Sequence, residues 1–200
     1  MEEINKMKTF RFVSLIILLT SSLLIVGCAA TRKPLFLSDT FKGQSVDDIY
    51  VLPVLDLRFD KTKELKLDKW VHSIVAGQLK KKNYKYQIVN KETPVAGLTE
   101  EILAEENPSL MISMKPDGAR WVMLLVLHDS SSKLTFGSTG NAEMSGRLYD
   151  MEMRNVVWRD KAVAQTGQGG LIGMAMKGAM EQQAITMAAL NLINSFPARQ

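Results

Sequence analysis

Residues 121–127 have the sequence WVMLLVL, the most apolar run of strand-forming residues after the first thirty residues of the chain. Every side chain in it is apolar, which predicts a buried, central β-strand. A Ser- and Gly-rich connection follows, and apolar or small side chains then alternate with polar ones at 141–154 (NAEMSGRLYDMEMR). That alternation is typical of a half-buried antiparallel strand. A short turn near Asn155 returns the chain through a further strand at 156–165 (VVWRDKAVAQ).

Toward the amino terminus, residues 49–57 (IYVLPVLDL) are a second apolar run, and Pro53 within it indicates an edge position or an irregularity. A helix follows, with Asp68 as its predicted N-cap and Asn83 as its end. The remaining predicted elements are a strand at 84–90 and helices at 99–107 and 176–195. The chain is therefore predicted to be α+β, with helices packed on a mixed sheet of about five strands in the order β-α-β-α-β-β-β-α.

The first thirty residues have the pattern of an export signal. Basic residues precede an uncharged apolar run at 12–26, which is shorter than the about 20 residues of a membrane-spanning helix. The run leads into LIVGC at 24–28, which resembles the lipobox read by lipoprotein signal peptidase. We therefore predict a signal peptide at 1–27 and lipidation of Cys28; the alternative is an uncleaved anchor with a chance cysteine.

Cys28 is the only cysteine, so no disulfide can form within the chain, and acylation gives a reason for its presence. Ala29 follows it, where an Asp would be the sorting signal of enteric-type lipoproteins. By comparison with those lipoproteins, the lack of this Asp implies that the protein is located at the outer membrane. It would be anchored there by lipid, on the periplasmic face. Residues 28–48 are polar and aperiodic and are interpreted as a lipidated tether, which could reach about 65 Å if fully extended. Residues 49–200 are then a single domain.

Composition and residue types argue against several functions. The formal net charge of +4 is too small and too dispersed for a nucleic-acid-binding surface. His128 lies beside Asp129, and Ser138 could complete a Ser-His-Asp arrangement, but GSTG at 137–140 is not the Gly-x-Ser-x-Gly elbow of hydrolases. His72 is expected on the polar flank of its helix. We expect no catalytic residue, no cofactor and no metal site, and hence no enzyme.

Short motifs at the predicted strands carry a family resemblance. They are VLP at 51–53, YQIV at 86–89, GARWV at 118–122, and GRLYD at 146–150 followed by VVW at 156–158. In this order they resemble small bacterial envelope lipoproteins that share a fold with the TolB amino-terminal domain and the curli-secretion lipoprotein. The most similar sub-group is the lipoproteins related to a meningococcal surface antigen. The resemblance implies contacts of a sheet edge or a helix face with other envelope proteins, rather than chemistry. The long hairpin insertions of a curli-type pore are absent, so pore formation is not expected.

The segment GQGGLIG at 167–173 invites comparison with a dinucleotide-binding fingerprint. Ile172 stands in place of the third glycine, and no second strand with a ribose-binding acid follows. We interpret the segment instead as a partner contact, because small residues allow close approach and methionine surfaces adapt to partners. The candidate interaction residues are Gly169, Leu171, Ile172, Gly173, Met174 and Met176. The alternative is an ordinary loop before a helix whose core face includes Met180, Met187 and Leu190.

The sequence thus predicts a non-enzymatic accessory or scaffolding lipoprotein of the cell envelope. Its partners are the membrane, through the lipid anchor, and envelope proteins, with a homodimer as the simplest self-association. The alternative is an auxiliary of an envelope transporter that binds lipid or another hydrophobic ligand. A deep apolar cavity would favour that alternative, whereas an exposed apolar patch would favour the protein-binding role.

Overall fold

The computed structural model describes residues 32–41, 46–89, 99–104, 109–112 and 114–199. Cys28 and the predicted signal peptide lie outside this part of the chain. The strands are β1 (Phe36–Leu37), β2 (Asp48–Val51), β3 (Leu55–Asp56), β4 (Lys85–Ile88), β5 (Trp121–Thr135), β6 (Gly137–Asp150) and β7 (Asn155–Gly169). The helices are α1 (Leu67–Lys81), α2 (Glu100–Ala104), α3 (Ser109–Ile112), α4 (Gly170–Ala175) and α5 (Lys177–Asn194). None of the described helices is both long and apolar enough to cross a membrane.

The described strands form one seven-stranded mixed sheet in the order β1-β7-β6-β5-β2-β4, with β3 also paired to β5. β5, β6 and β7 pair antiparallel, as expected, whereas β2, β3 and β4 join the sheet by parallel pairing. The α+β class and the central position of 121–127 are confirmed. The expected count of about five strands is wrong, because β1 was not predicted and the first strand is divided.

Helices cover both faces of the sheet. The larger core lies under α1 and α5 and includes Trp121 of β5, Val75 of α1 and Leu192 of α5. The smaller core lies on the opposite face, where Leu124 of β5 and Leu103 of α2 are both buried. Both faces of β5 are therefore apolar at 121–127, which explains the continuous apolar sequence there.

The predicted strand at 49–57 is interrupted at Pro53. A proline has no backbone N–H to donate to the sheet, and the structure leaves residues 52–54 out of the regular ladder. The amide of Val54 instead donates a 2.7 Å hydrogen bond to Oδ1 of Asp68. The prediction that Asp68 is the N-cap is therefore wrong. The helix α1 begins one residue earlier, at Leu67.

His72 also differs from its expected position. Its side chain is buried, and its Nε2 lies 3.0 Å from the carbonyl oxygen of Leu52, in the same interrupted stretch. The ring of His72 thus satisfies a buried carbonyl group rather than facing solvent.

The helix α1 ends as predicted, because Asn83 adopts a positive φ of 64° directly after the turn at Lys82.

The Ser- and Gly-rich connection at 128–140 is not a loop. β5 and β6 pair continuously from Asp129 opposite Glu143 to Thr135 opposite Gly137, with Phe136 at the tip. This stretch lacks the apolar alternation that marks a strand, because most of its side chains on β5 are exposed or only half buried. Backbone pairing within a hairpin sustains it instead. The three antiparallel strands therefore extend well beyond the main core.

The amino-terminal segment packs on the sheet from residue 32 onward. β1 pairs antiparallel with β7, and Nη2 of Arg32 lies 2.8 Å from Oδ1 of the fully buried Asp160. The side chain of Phe41 is buried in the larger core. Residues 32–41 thus pack on the domain, although they belong to the predicted tether at 28–48; its residues 28–31 and 42–45 lie outside the described chain.

Candidate interaction surface

Five exposed apolar side chains gather where the hairpin tip meets the end of β7 and α4. We call them the apolar end: Leu134, Phe136, Leu171, Met174 and Met176. Phe136 and Leu171 are 85% and 82% exposed, and the other three are 38–48% exposed. The segments that carry them, 134–142 and 162–176, contain no charged residue. Apolar surface of this kind is typical of a binding site rather than of a solvated face.

Hydrogen bonds hold the hairpin tip to α4. The hydroxyl of Ser138 donates a 2.6 Å hydrogen bond to the carbonyl oxygen of Gly173, and the amide of Gly170 donates one of 3.4 Å to the carbonyl oxygen of Phe136. Gly173 also packs so closely on β7 that a Cβ atom there would overlap the carbonyl group of Gln168. The tip and α4 therefore form one packed unit.

The following helix is fixed to the same unit. The hydroxyl of Thr166, on β7, donates a 2.8 Å hydrogen bond to the carbonyl oxygen of Met180 in the first turns of α5. On β6, Gly140 lies against the backbone of Met180 and Glu181, where any larger residue would overlap it. The apolar end is thus carried by strands and helices on both sides rather than by a free loop.

The candidate residues from the sequence fall into two groups. Leu171, Met174 and Met176 have exposed side chains, and their role in a partner contact stays a prediction. Gly173 is buried and serves packing within the chain, whereas Gly169 ends β7 with open space around its Cα. The side chain of Ile172 lies outside what the structure describes.

The alternative, a loop before a core helix, describes part of this region. Met180 is buried as that alternative requires, but Met187 is 39% exposed and Leu190 is only half buried. The glycine-rich stretch is not a loop, because its residues complete β7 and form α4. Leu134 and Phe136 were missed, since both fall in a stretch that the sequence indicated to be a connection.

The residues that suggested a Ser-His-Asp arrangement are not brought together. Nε2 of His128 lies 2.7 Å from the hydroxyl of Ser145, on the neighbouring strand. Ser138 pairs with Leu134, six residues further along β5, which corresponds to roughly 20 Å of strand. Among the described residues, no group of three or more His, Cys, Asp or Glu side chains is arranged to hold a metal ion.

A buried carboxylate lies at the base of the hairpin extension. Glu181 of α5 forms a 2.7 Å ion pair with Lys63 and accepts a 2.8 Å hydrogen bond from the hydroxyl of Ser130. Burial acts to raise the pKa of this carboxyl, but the hydrogen bonds from Lys63 and Ser130 outweigh it, and the pKa lies below its usual value. A cleft of about 360 Å³ beside it is lined mainly by charged and hydroxyl side chains. Glu181 therefore ties the loop after β3 to both α5 and β5.

No protein-family model matches the chain, and neither does any curated protein. The fold is similar to that of several solved proteins. Lipoprotein GNA1162 from Neisseria meningitidis has a TM-score of 0.45 at 19% identity, covering 70% of this chain and 99% of that protein. The minor lipoprotein from Acinetobacter baumannii has a TM-score of 0.41 at 6% identity, covering 77% of this chain and 96% of that protein. The PelC dodecamer from Paraburkholderia phytofirmans has a TM-score of 0.43 at 14% identity, covering 73% of this chain and 87% of that protein.

Bacterial lipoproteins are thus among the structures that this chain is similar to, at low sequence identity. The narrower resemblance to a particular sub-group of envelope lipoproteins stays a prediction.

Proposed function

We propose that this chain is a non-enzymatic accessory lipoprotein, anchored through acylated Cys28 on the periplasmic face of the outer membrane, whose apolar end binds a second copy of the chain. The observation that carries the proposal is the exposed, uncharged surface at the tip of a long and tightly packed sheet. Unfavourable contact of five apolar side chains with water is relieved when a partner covers them.

The short link to the membrane favours a second copy as the occupant. Arg32 is fixed to Asp160, and three residues of the sequence, 29–31, separate it from the proposed lipidation site at Cys28. Every copy would then remain on the same membrane surface. Copies confined to one membrane also meet at a raised effective concentration. A two-fold dimer uses the same surface twice and therefore suits an uncharged apolar patch.

The alternative, an auxiliary that binds a hydrophobic ligand, has less support. The cleft beside Glu181 is lined mainly by polar groups, and a second cleft, beside β6 and β7, is lined mainly by charged ones. Sites for hydrophobic small molecules are mostly apolar. The five side chains of the apolar end are instead exposed where the hairpin tip meets α4, which suits contact with another macromolecule.

The anchor is tested by growth with an alkyne-tagged fatty acid, followed by detection of the tag on the purified protein. The wild-type chain should be labelled and processed, and Cys28→Ser should be unlabelled and accumulate as precursor, since no other cysteine is present. Normal labelling and processing of Cys28→Ser would rule out the proposed lipidation site.

The partner is tested in cells with a photo-crosslinking amino acid placed at Phe136 and, as the control, at Met153. Met153 is also an exposed apolar residue, but it lies in the β6–β7 turn, at the opposite end of the strands. A crosslinked dimer is expected from position 136 only. Crosslinking at 136 to a different protein, or no crosslink there, would reject the second copy as occupant.

A further inference from the structure

The two outer edges of the sheet differ in how far they are protected from pairing with another chain. β4, at one edge, has four residues and begins with an exposed lysine, Lys85. β7, at the other edge, has fifteen residues, and β1 pairs with it only at Trp158 and Arg159. Beyond Arg159, no described strand pairs with the outer side of β7. Short strands and lysines are common protection for a sheet edge, and β7 is long.

Every second residue of β7 directs its backbone groups away from β6. The carbonyl oxygen of Lys161 accepts a hydrogen bond from the guanidinium of Arg32, so it faces the outer side. Because pairing with β6 is regular from Trp158 to Gly169, the N–H and C=O groups of alternate residues after Lys161 face the same way. These residues are all exposed: Val163, Gln165, Gly167 and Gly169. We call residues 163–169 the free edge.

β1 stops before the free edge because of Pro34. In the register of β1 on β7, Phe36 is opposite Arg159, so Pro34 would be the residue opposite Lys161. A proline has no N–H to donate, and the side chain of Arg32 bonds the carbonyl of Lys161 instead. The ladder between β1 and β7 therefore ends there, and no described strand continues it along the free edge.

The free edge itself lacks the features that keep exposed edges apart. It contains no charged residue and no proline, and its pairing with β6 has no bulge. Such an edge is a template for an added strand. It also leads directly into α4, which carries Leu171 and Met174 of the apolar end. The continuity of the two surfaces indicates that one partner covers both.

We propose that the free edge pairs antiparallel with the free edge of a second copy, so that the two sheets join into one. The inference rests on the proposed function, which assigns a second copy to the apolar end, and it names the backbone contact between the copies. An antiparallel ladder about a two-fold axis uses the same residues of both copies. Use of the whole free edge requires Val163 opposite Gly169 and Gln165 opposite Gly167.

This register brings exposed apolar side chains of the two copies together. It places β1 of one copy beside α4 of the other. Leu35 and Phe36, at β1, are 66% and 40% exposed, and Leu171, on α4, is 82% exposed. Lys161 lies outside the paired residues, so no like charges are directly opposite each other. The contacts at both ends of the ladder therefore favour a second copy over an unrelated strand.

The joined sheet leaves room for the helices. α5 packs mainly on β6 and β7. Directly opposite residues of an antiparallel ladder share a face, so α5 of both copies would lie on the same side of the joined sheet. The two helices would be roughly two strand spacings, or about 10 Å, apart, which is the ordinary distance between packed helices.

The first test traps the predicted register with a disulfide in membranes. Gln165→Cys and Gly167→Cys, on two full-length chains with different tags, are expressed together and oxidised mildly. Opposite residues of antiparallel strands have Cα atoms about 5.5 Å apart when they exchange hydrogen bonds, which a disulfide can span. A disulfide-linked pair that carries both tags is expected.

Two controls accompany this test. Lys133→Cys lies on β5, the other outer strand of the hairpin extension, and in place of Gln165→Cys it should give no linked pair with Gly167→Cys. Chains without a substitution control for Cys28, the only cysteine of the sequence.

The second test removes hydrogen bonds of the free edge without altering the ladder with β6. The N–H of Gln165 faces outward, so Gln165→Pro removes no ladder bond of the monomer. In the dimer it removes one hydrogen bond from each copy, which should weaken association by about tenfold or more. Sedimentation of the lipidated protein in detergent measures the effect, and thermal unfolding checks that the variant is folded. Val163→Pro should act in the same way, and the disulfide test decides alone if the proline variants do not fold.

The outcomes separate this inference from the proposed function. A dimer that Phe136→Asp weakens, but that gives no mixed disulfide, would keep the second copy and overturn the pairing of the free edges. A dimer unchanged by both folded proline variants would overturn the pairing as well. A wild-type chain that is monomeric at every concentration would reject both proposals.

Other occupants of the free edge would also be recognised. A disulfide of Gln165→Cys with a different protein would assign the edge to that protein. Protection of the amides of Val163 and Gln165 from hydrogen exchange in the monomer would assign it to another segment of the same chain. Either result would overturn the pairing of two copies.

Discussion

The hydroxyl of Ser138 lies 2.6 Å from the carbonyl oxygen of Gly173 and donates a hydrogen bond to it. Ser138 is almost completely buried, so its hydroxyl is shielded from solvent. The bond joins the β5–β6 hairpin to α4, and the two bonded residues are 35 positions apart in sequence. A serine that the sequence offered as a nucleophile therefore has a structural role in shaping the apolar end.

Ser138→Ala should destabilise the protein by about 0.5–1.5 kcal/mol, because it removes one of the two hydrogen bonds that the carbonyl oxygen of Gly173 accepts, the other coming from the amide of Met176. Chemical denaturation monitored by circular dichroism would measure the change. Ser73→Ala, at an exposed position of α1, is the matched control and should stay within about 0.5 kcal/mol of the wild type. Equal stability of the two variants would show that the Ser138 hydrogen bond is unimportant.

Substitution of two helical glycines should have opposite effects. Gly173→Ala should be destabilising, because the added methyl group would overlap the carbonyl of Gln168 and crowd Gly137. Gly77→Ala, in the middle of α1 with nothing within 4 Å, should stabilise the protein by about 0.5–1 kcal/mol. Thermal unfolding of both variants checks the pair. A stabilising Gly173→Ala would contradict the close packing of α4 on β7.

The sequence predicted elements with strong periodicity better than elements held by pairing alone. α1 and α5 differ from their predicted positions by only a few residues, and the apolar run at 121–127 lies in the centre of the sheet. In these segments, the spacing of apolar residues along the sequence shows which side chains are buried. The extension at 128–140 has no such signal, since its strands are held by backbone pairing within the hairpin. β1 has only two residues, too few for any periodicity.

The residues of the candidate site were likewise predicted only where the local sequence carries a signal. The uncharged run after Lys161 indicated an interaction segment, and Leu171, Met174 and Met176 are exposed there. Phe136 joins them only because β6 pairs with β7 up to Gly137 opposite Gly169. That register is a property of the folded sheet, so local sequence could not place Phe136 beside α4.

The ion pair of Glu181 should contribute stability that depends on pH. Its pKa in the folded protein lies below the ordinary 4.5, so the stabilisation is fully present above that value and is lost as pH falls below it. Glu181→Gln should therefore be less stable than the wild type at pH 7, and the difference should shrink in acid. Denaturant midpoints across this range give the measurement. Glu64→Gln, at an exposed neighbouring position, is the control and should stay within about 0.5 kcal/mol of the wild type at pH 7. A difference for Glu181→Gln that stays constant with pH would contradict the assignment.

The last prediction concerns self-association through the apolar end. Leu171→Asp and Phe136→Asp place a charge at the centre of the proposed contact, where a partner would remove it from water. Because burying an unpaired charge is unfavourable, each substitution should weaken the dimer by at least about tenfold. Sedimentation of the lipidated protein in density-matched detergent, over a range of protein concentrations, measures the monomer–dimer equilibrium.

Met153→Asp is the matched control for this experiment. Met153 is 62% exposed, so its substitution adds the same charge to the surface at the opposite end of the strands and should leave the dimer intact. The folded state of all three variants is checked by thermal unfolding, and each should resemble the wild type, since the replaced side chains are exposed in the monomer. A wild-type protein that stays monomeric at every concentration would exclude the dimer. A dimer that survives both Leu171→Asp and Phe136→Asp would place the contact on another surface, because neither charge could then lie within it.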